Sequence, residues 1–295
     1  MIKGTIIKAL SGFYYVQTEN GILECKARGK FRLDGTSPLV GDRVCCSLDA
    51  HGKGRVDSVD ERRNWFIRPA VANIDALVFV AANTNPITDP FLIDRVSVIA
   101  ENSDCELIIC INKTDIDSAD ELYGIFSKAG FPIVRTSAES GEGIDELRKL
   151  LKGKICAFTG NSGVGKSSIL NILLPGINIK TAEVSEKLGR GKHTTRHVEL
   201  YNIGDDILIA DTPGFASFDI EMMEIIPKEE LQYCFREFSP YIGKCRFNNC
   251  AHLKEPGCAV TAALADGLIG KSRYKSYERL YELSSQHKSW ETKLN

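Results

Sequence analysis

Over residues 1–68 apolar and polar positions alternate in short runs broken by glycine or Asn-Gly: "KGTIIKAL", "FYYVQTE", "GILECKA", "DRVCCSLD" and "GRVDSVD". A period of two, rich in β-branched residues, predicts half-buried strands. Five short strands in this length predict a small antiparallel barrel of the OB type, with an SH3-like barrel as the neighbouring alternative. From residue 74 the pattern changes. "IDALVFVAAN" is almost continuously apolar, as a strand covered on both faces must be. Helical and strand periods then alternate: helix "DPFLIDRVSVIAEN", strand "CELIICIN", helix "SADELYGIFSKAG", strand "PIVRTS", helix "GIDELRKLL", strand "KICAFTG", helix "GKSSILNILL", and strands "HVELYNI" and "DILIADTPG". That alternation predicts a mainly parallel sheet with helices on both faces. From about residue 221 the pattern is mostly helical, interrupted by a compact cysteine-rich loop. The expected division is a barrel over 1–68, an α/β domain over 69–220 and a helical domain over 221–295.

Composition narrows the setting. The 295 residues are 43% apolar, enough for several cores. No run of 18 apolar residues is present, so no membrane span is expected, and "MIKGTIIKAL" lacks the apolar core and cleavage site of a signal peptide. Ten cysteines are scattered, several in apolar strand-like runs, which suits buried free thiols in a reducing cytoplasm. The net charge of −2 divides unevenly, about +4 over 1–68, −7 over 69–220 and +1 over 221–295. A polyanion would be held by the two ends.

The middle of the chain carries phosphate chemistry. "GNSGVGKSS" (Gly160, Asn161, Ser162, Gly163, Val164, Gly165, Lys166, Ser167, Ser168) follows an apolar strand and opens a helix. Glycines there let backbone N–H groups curl around phosphates at a helix N-terminus. Lys166 would reach the β- and γ-phosphates and Ser167 would hold Mg²⁺. "DTPG" ends a later strand, where Asp211 can hold the metal through water and Gly214 can offer its N–H to a γ-phosphate. "NKTD" ends another strand. Asp115 can accept from both N1–H and the exocyclic amine of guanine, a donor pair adenine lacks, while Asn112 and Lys113 brace the loop and cover the base. In "TSAES" the N–H groups of Ser137 and Ala138 are placed to meet the guanine oxygen. Between Ser167 and Asp211, "KLGRGKHTTRHVEL" supplies a second hydroxyl for Mg²⁺ from Thr195, with Thr194 as the alternative.

These motifs stand in rotated order, NKTD, SA, GNSGVGKS, HTT, DTPG. In that order the chain resembles the circularly permuted small ribosomal subunit biogenesis GTPases (the RsgA/YjeQ family), over nearly its whole length. The resemblance implies an OB barrel, a permuted Ras-like sheet and a zinc-bearing tail. It implies a protein that binds the small subunit late in maturation and hydrolyses GTP to GDP with stimulation by that subunit. Domain termini often lie close together, so joining old ends and cutting elsewhere preserves a fold. The splice falls at "LLKGK" (Leu150 to Lys154), and the new cut sends the DTPG segment into the C-terminal domain. The position after the DTPG glycine, where many GTPases carry a water-orienting glutamine, is Phe215. Intrinsic turnover is therefore expected to be slow, and His193, just before the threonines, is the candidate catalytic group in cis alongside Lys166, as the family's switch histidine implies.

"CRFNNCAHLKEPGC" places Cys245, Cys250, His252 and Cys258 within fourteen residues. Three thiolates and an imidazole fit one closed, structural Zn²⁺ site, and the spacing matches the family's zinc loop. Cys234, eleven residues earlier, is read as core. For RNA, the cations of "CKARGKFR" (Lys26, Arg28, Lys30, Arg32) are the better candidates. In "GKSRYKSYERLYEL", Lys271, Arg273, Lys275 and Arg279 are candidate contacts, whereas Tyr274, Tyr277 and Tyr281 at helical spacing are expected in the core. The expected whole is a cytoplasmic, monomeric GTPase that docks on the small subunit and its rRNA through barrel and zinc domain. The alternatives are an RNA-binding scaffold with a catalytically weak nucleotide-sensing site, or a GTPase acting on another RNA.

Overall fold

A computed structural model describes residues 1–29, 31, 37–67, 69–175, 198–211 and 226–286. Two compact units divide the chain.

The first unit opens with five strands, β1 (Ile2–Leu10), β2 (Phe13–Thr18), β3 (Gly21–Ala27), β4 (Arg43–Leu48) and β5 (Gly54–Val59). They run in the order β1-β2-β3-β5-β4, and β4 returns to pair with β1, which closes the barrel. The pairing of β3 with β5 is parallel, a departure from the all-antiparallel expectation that the five-stranded closure itself requires. Inward positions follow the alternation in the sequence: Ile6, Val16, Cys25, Val44, Cys46 and Val56 are all buried. Irregularities between Ile6 and Lys8 and between Cys45 and Cys46 bend β1 and β4 around so small an interior. Gly4 on β1 leaves no space for a side chain; a Cβ there would lie 2.3 Å from the Gln17 carbonyl oxygen.

A hairpin of two three-residue strands, β6 (Trp65–Ile67) and β7 (Ala70–Ala72), follows and was not foreseen from periodicity, because three residues are too few to show a period. Buried side-chain amides tie its base. Asn64 Nδ2 donates to Ile74 O and Asn73 Nδ2 to Gly41 O.

The same unit contains β11 (Ile155–Thr159), the helix α4 (Lys166–Leu173) after it, β12 (Glu199–Asn202) and β13 (Leu208–Asp211). β11 and β13 are parallel, β13 and β12 antiparallel, and β12 pairs antiparallel with β1 at Lys8 and Glu199. The barrel and these strands thus form one hydrogen-bonded run.

β8 (Ala76–Ala82), buried at all seven positions, carries the chain into the second unit. There β9 (Glu106–Asn112) and β10 (Ile133–Arg135) pair in parallel, connected by α2 (Asp120–Lys128), with α1 (Pro90–Asn102) before β9. Asp89 caps α1 by accepting from Phe91 N at 2.9 Å, and Pro90 at its first position needs no donor partner. The helix α3 (Ile144–Leu151) returns the chain to the first unit. Only three residues separate α3 from β11, with Gly153 at φ +72° and Lys154 N donating to Leu151 O at 3.1 Å. So tight a turn demands that the joined ends be neighbours.

Among the described residues, the C-terminal part of the second unit has two short 3₁₀ turns, Leu231–Cys234 and Arg236–Phe238, followed by the cysteine loop, α5 (Ala259–Ala265) and α6 (Lys271–Gln286). Among the described residues its α-helices lie beyond residue 258. The core is aromatic: Phe238 stands 4.9 Å from Tyr277 and 5.2 Å from Phe235, ring centroid to centroid. Val98 of α1 belongs to the same cluster.

Candidate functional site

Residues 160–165 turn from β11 into α4. Gly160, Gly163 and Gly165 have φ values of +139°, +83° and +92°, a region that side chains disfavour. The need at Gly165 is also spatial, since a Cβ there would stand 2.1 Å from Asn112 Nδ2. Ser162 is exposed, Asn161 half-buried and Val164 fully buried. Lys166, Ser167 and Ser168 form the first turn of α4, so the N–H groups of this end have no partners within the helix. Lys166 is largely buried, with Nζ 3.4 Å from Gly160 O, folded back over its own loop.

The NKTD segment grips the middle of this turn. Asn112, at the end of β9 and almost fully buried, donates from Nδ2 to Val164 O at 2.9 Å. Its Oδ1 accepts from Ala138 N at 3.0 Å. Lys113 holds a left-handed backbone (φ +66°) and donates from Nζ to Gly163 O at 2.7 Å and Asn85 O at 2.6 Å. Asp115 is exposed.

Three segments distant in sequence are thereby joined through one asparagine. Two amides depart from expectation: the N–H of Ala138 is given to Asn112, and that of Ser137 to Glu142 O at 3.0 Å. A guanine oxygen would have to share them, so Ser137 and Ala138 act first as braces.

The sequence reading missed a second clasp. Asn83, just beyond β8, donates from Nδ2 to Asp117 Oδ1 at 3.0 Å, and the same oxygen accepts from Ala119 N at 2.7 Å. The Asn83 amide and the Ala119 N–H hold the Asp117 carboxyl below its usual range. Asn83 at a strand's C-terminal end was the available signal.

His193, Thr194, Thr195, Gly214 and Phe215 lie outside the described residues, as do Lys30 and Arg32. Asp211 is described in its backbone alone, paired in register with Glu199 on β12.

Cys245, Cys250, His252 and Cys258 bring one ligand atom each to within 4.8 Å of one another. The imidazole faces the thiols with Nδ1, 3.5 Å from Cys245 Sγ and 3.4 Å from Cys258 Sγ. Its other nitrogen, Nε2, is 2.9 Å from Gln232 Oε1. A carbonyl oxygen can only accept, so Nε2 carries the proton and Nδ1 presents a lone pair to the thiols.

Backbone donors also point at sulfur, Ala259 N at Cys245 and Thr261 N at Cys258. Burial opposes the Cys258 thiolate, but these Thr261 and neighbouring donors outweigh it and its pKa is lowered; burial lowers that of His252. Both shifts favour the ligating forms. Tyr274 and Tyr277 hold the loop from α6, donating to the carbonyls of His252 and Ala251 at 2.7 and 2.8 Å. Cys234 stands apart, buried, its thiol pushed up to about 12 by burial.

Arg273 corrects the reading of α6 as a basic RNA face. It is fully buried and pairs with Asp94 and Glu237. Arg279 lies over the Phe91 ring at 3.8 Å. On the barrel, Lys26 lies over Phe13 at 4.8 Å and Arg28 pairs with Asp57.

Family models and known proteins match this chain over most of its length. The RsgA GTPase model matches residues 59–221 and the RsgA N-terminal domain model residues 3–56. The small ribosomal subunit biogenesis GTPase RsgA of Caldanaerobacter subterraneus subsp. tengcongensis is 46% identical over 94% of this chain and 93% of its own. The protein of the same name from Bacillus anthracis is 44% identical over 96% and 97%. Among solved structures, YjeQ from Thermotoga maritima is similar with a TM-score of 0.83 and 35% identity, covering 97% of this chain and 99% of that one. YloQ, described as a circularly permuted GTPase, has a TM-score of 0.79 and 34% identity over 98% and 96%.

Proposed function

The chain belongs to the RsgA GTPase family, and we propose that it hydrolyses GTP to GDP and phosphate while assisting late maturation of the small ribosomal subunit, which it contacts through rRNA. The observation that carries the GTPase reading is Asn112, whose amide ties the phosphate loop at Val164 to the Ala138 segment. A purine bound over NKTD is thereby held beside Gly163–Gly165, the part of the glycine turn that NKTD grips.

Asp115 selects guanine, and Asn112 and Lys113 hold the loops around it. Backbone N–H groups of residues 161–168 and Lys166 stabilise charge that develops on the transferred phosphoryl group. Ser167 would supply a hydroxyl to Mg²⁺, together with Asp211 and Thr195 or Thr194, and Gly214 would offer an N–H to the γ-phosphate. The donor set is of the hard-oxygen type that ion requires, and bound there it neutralises phosphate charge. With Phe215 in the glutamine position, His193 is the cis group assigned to positioning the attacking water.

Cys245, Cys250, His252 and Cys258 suit one structural Zn²⁺: soft thiolates with one imidazole, four donors that would complete a tetrahedron and leave no ligand position for a reacting water. The chain is read as a cytoplasmic monomer of three parts, 1–68, 69–220 and 221–295. No helix among the described residues is long and apolar enough to cross a membrane.

GTP turnover with and without small subunits tests the reading, together with co-sedimentation in GDP and in a non-hydrolysable GTP analogue. Turnover stimulated by the subunit, and binding that depends on nucleotide, are expected. Turnover indifferent to the subunit leaves the scaffold alternative standing instead.

A further inference from the structure

Between the ligand residues Cys245 and Cys250 the chain makes a four-residue knuckle, Arg246-Phe247-Asn248-Asn249, and every one of these residues is exposed. Phe247 keeps 47% of its surface in solvent and takes no part in the aromatic core below it. The part of the ring left in water gains nothing from burial. Yet the knuckle is held firmly. Arg246 N donates to Gly257 O at 3.0 Å, and Gly257, at φ +75°, leaves only 3.0 Å between where its Cβ would stand and Arg246 Cβ. Cys245 and Cys250 fix its two ends in the ligand cluster.

The knuckle's own sequence carries one sign of charge. The Arg246 guanidinium lies 5.6 Å from the Phe247 centroid, Lys244 precedes it, and no acidic residue occurs from Lys244 to Cys250. Asn248 and Asn249 add amide donors and acceptors. An exposed aromatic face, two cations and two amides on a rigid turn match an unstacked nucleobase with its flanking phosphate. An acidic protein surface would satisfy the cations alone but gives the exposed ring no stacking partner.

We infer that Arg246-Phe247-Asn248-Asn249 is a binding site for a single unpaired nucleotide of RNA, with the base stacked on Phe247 and its phosphate held by Arg246 and Lys244. The inference rests on the reading of the small subunit as partner and names the group that would meet it.

The test uses the full chain loaded with zinc and a non-hydrolysable GTP analogue. Dissociation constants are measured for small subunits, for protein-free small-subunit RNA and for a labelled single-stranded RNA, comparing wild type with Phe247→Ala, Phe247→Trp and Arg246→Ala. Zinc content and melting temperature confirm that each variant is folded. Phe247→Ala is expected to weaken all three ligands about 5- to 100-fold, the range of one lost base stack, and Phe247→Trp to restore binding. Arg246→Ala is expected to lower the salt slope on single strands by about 0.7, one phosphate contact.

Unchanged affinity of Phe247→Ala for all three ligands overturns the inference. So does a loss confined to intact subunits, which would place a ribosomal protein on the knuckle. If wild type itself ignores subunits in every nucleotide state, the functional reading fails, whereas normal wild-type binding with an indifferent Phe247→Ala sinks the knuckle site alone.

Discussion

Arg273 on α6 donates from Nη1 to Asp94 on α1 at 2.6 Å, and both side chains are withdrawn from solvent. The same guanidinium reaches Ser97 Oγ at 2.9 Å and forks onto both oxygens of Glu237. A cation that looks like surface charge in the sequence is the joint between the helix that holds the cysteine loop and a helix of the nucleotide-binding fold. Arg273→Met leaves two carboxylates without their partner in a closed space and is expected to cost about 3–5 kcal/mol. Urea unfolding measures it. A loss below about 1 kcal/mol would show that water reaches the joint.

Gly165→Ala drives a methyl group to within 2.1 Å of Asn112 Nδ2 from a backbone at φ +92°. The clasp between Asn112 and the phosphate loop must then open. GTP affinity is expected to fall at least about tenfold, the equivalent of roughly one charge-independent hydrogen bond with its strain. Fluorescent-nucleotide titration reports the change, and an affinity equal to wild type rules out the clasp as a determinant of binding.

Asp115→Asn exchanges an acceptor pair for an amide. Two charge-assisted bonds of about 1.5–3 kcal/mol each are lost, so GTP binding is expected to weaken by roughly 100-fold or more. Xanthosine triphosphate, which offers a second carbonyl where guanine has its amine, should bind the variant better than GTP does. Competition between the two nucleotides decides it.

Gln232→Ala removes the acceptor that fixes the imidazole tautomer of His252. Partners of this type typically contribute about 10- to 100-fold in metal affinity. Zinc transfer to a colorimetric chelator should occur at correspondingly lower chelator concentration. Equal competition curves for variant and wild type would mean that the ring is held by the protein core alone.

Glu255 folds its carboxylate onto the N–H groups of Ala251, Leu253 and Lys254. Burial works against its charge, but those donors prevail and its pKa is lowered. A carboxyl depressed on folding stabilises above its unfolded pKa, roughly 4.3, and that stability is lost as pH falls through the lower folded value. Melting temperature of the wild type should therefore decline below about pH 4.5, and Glu255→Gln should lower it near neutrality while flattening the acid limb. Parallel acid limbs for the two proteins would refute a role for this carboxylate.

What the sequence showed plainly was whatever repeats at short range. Alternation disclosed the barrel strands, and continuous apolar runs disclosed β8 and β9. Glycine spacing disclosed the turn at 160–165, and cysteine spacing the cluster of three thiols and an imidazole. What it hid depends on partners distant along the chain. Nothing local marks Arg273 as buried, because its neighbours Asp94 and Glu237 come from other elements. Gln232 lies twenty residues before the imidazole it fixes. The amides of Ser137 and Ala138 are already committed, which only the folded loops reveal.

Where β12 borders β1, Lys8 grips Glu199 through both carboxylate oxygens, at 2.9 and 3.1 Å. Excising the N-terminal barrel to obtain a smaller nucleotide-binding fragment would strip β12 of its outer neighbour along this seam. Bare strand margins recruit other copies into aggregates. A truncation intended to isolate one function would thus create a sticky flank, and the barrel serves as the permanent cover of that margin as well as a module in its own right.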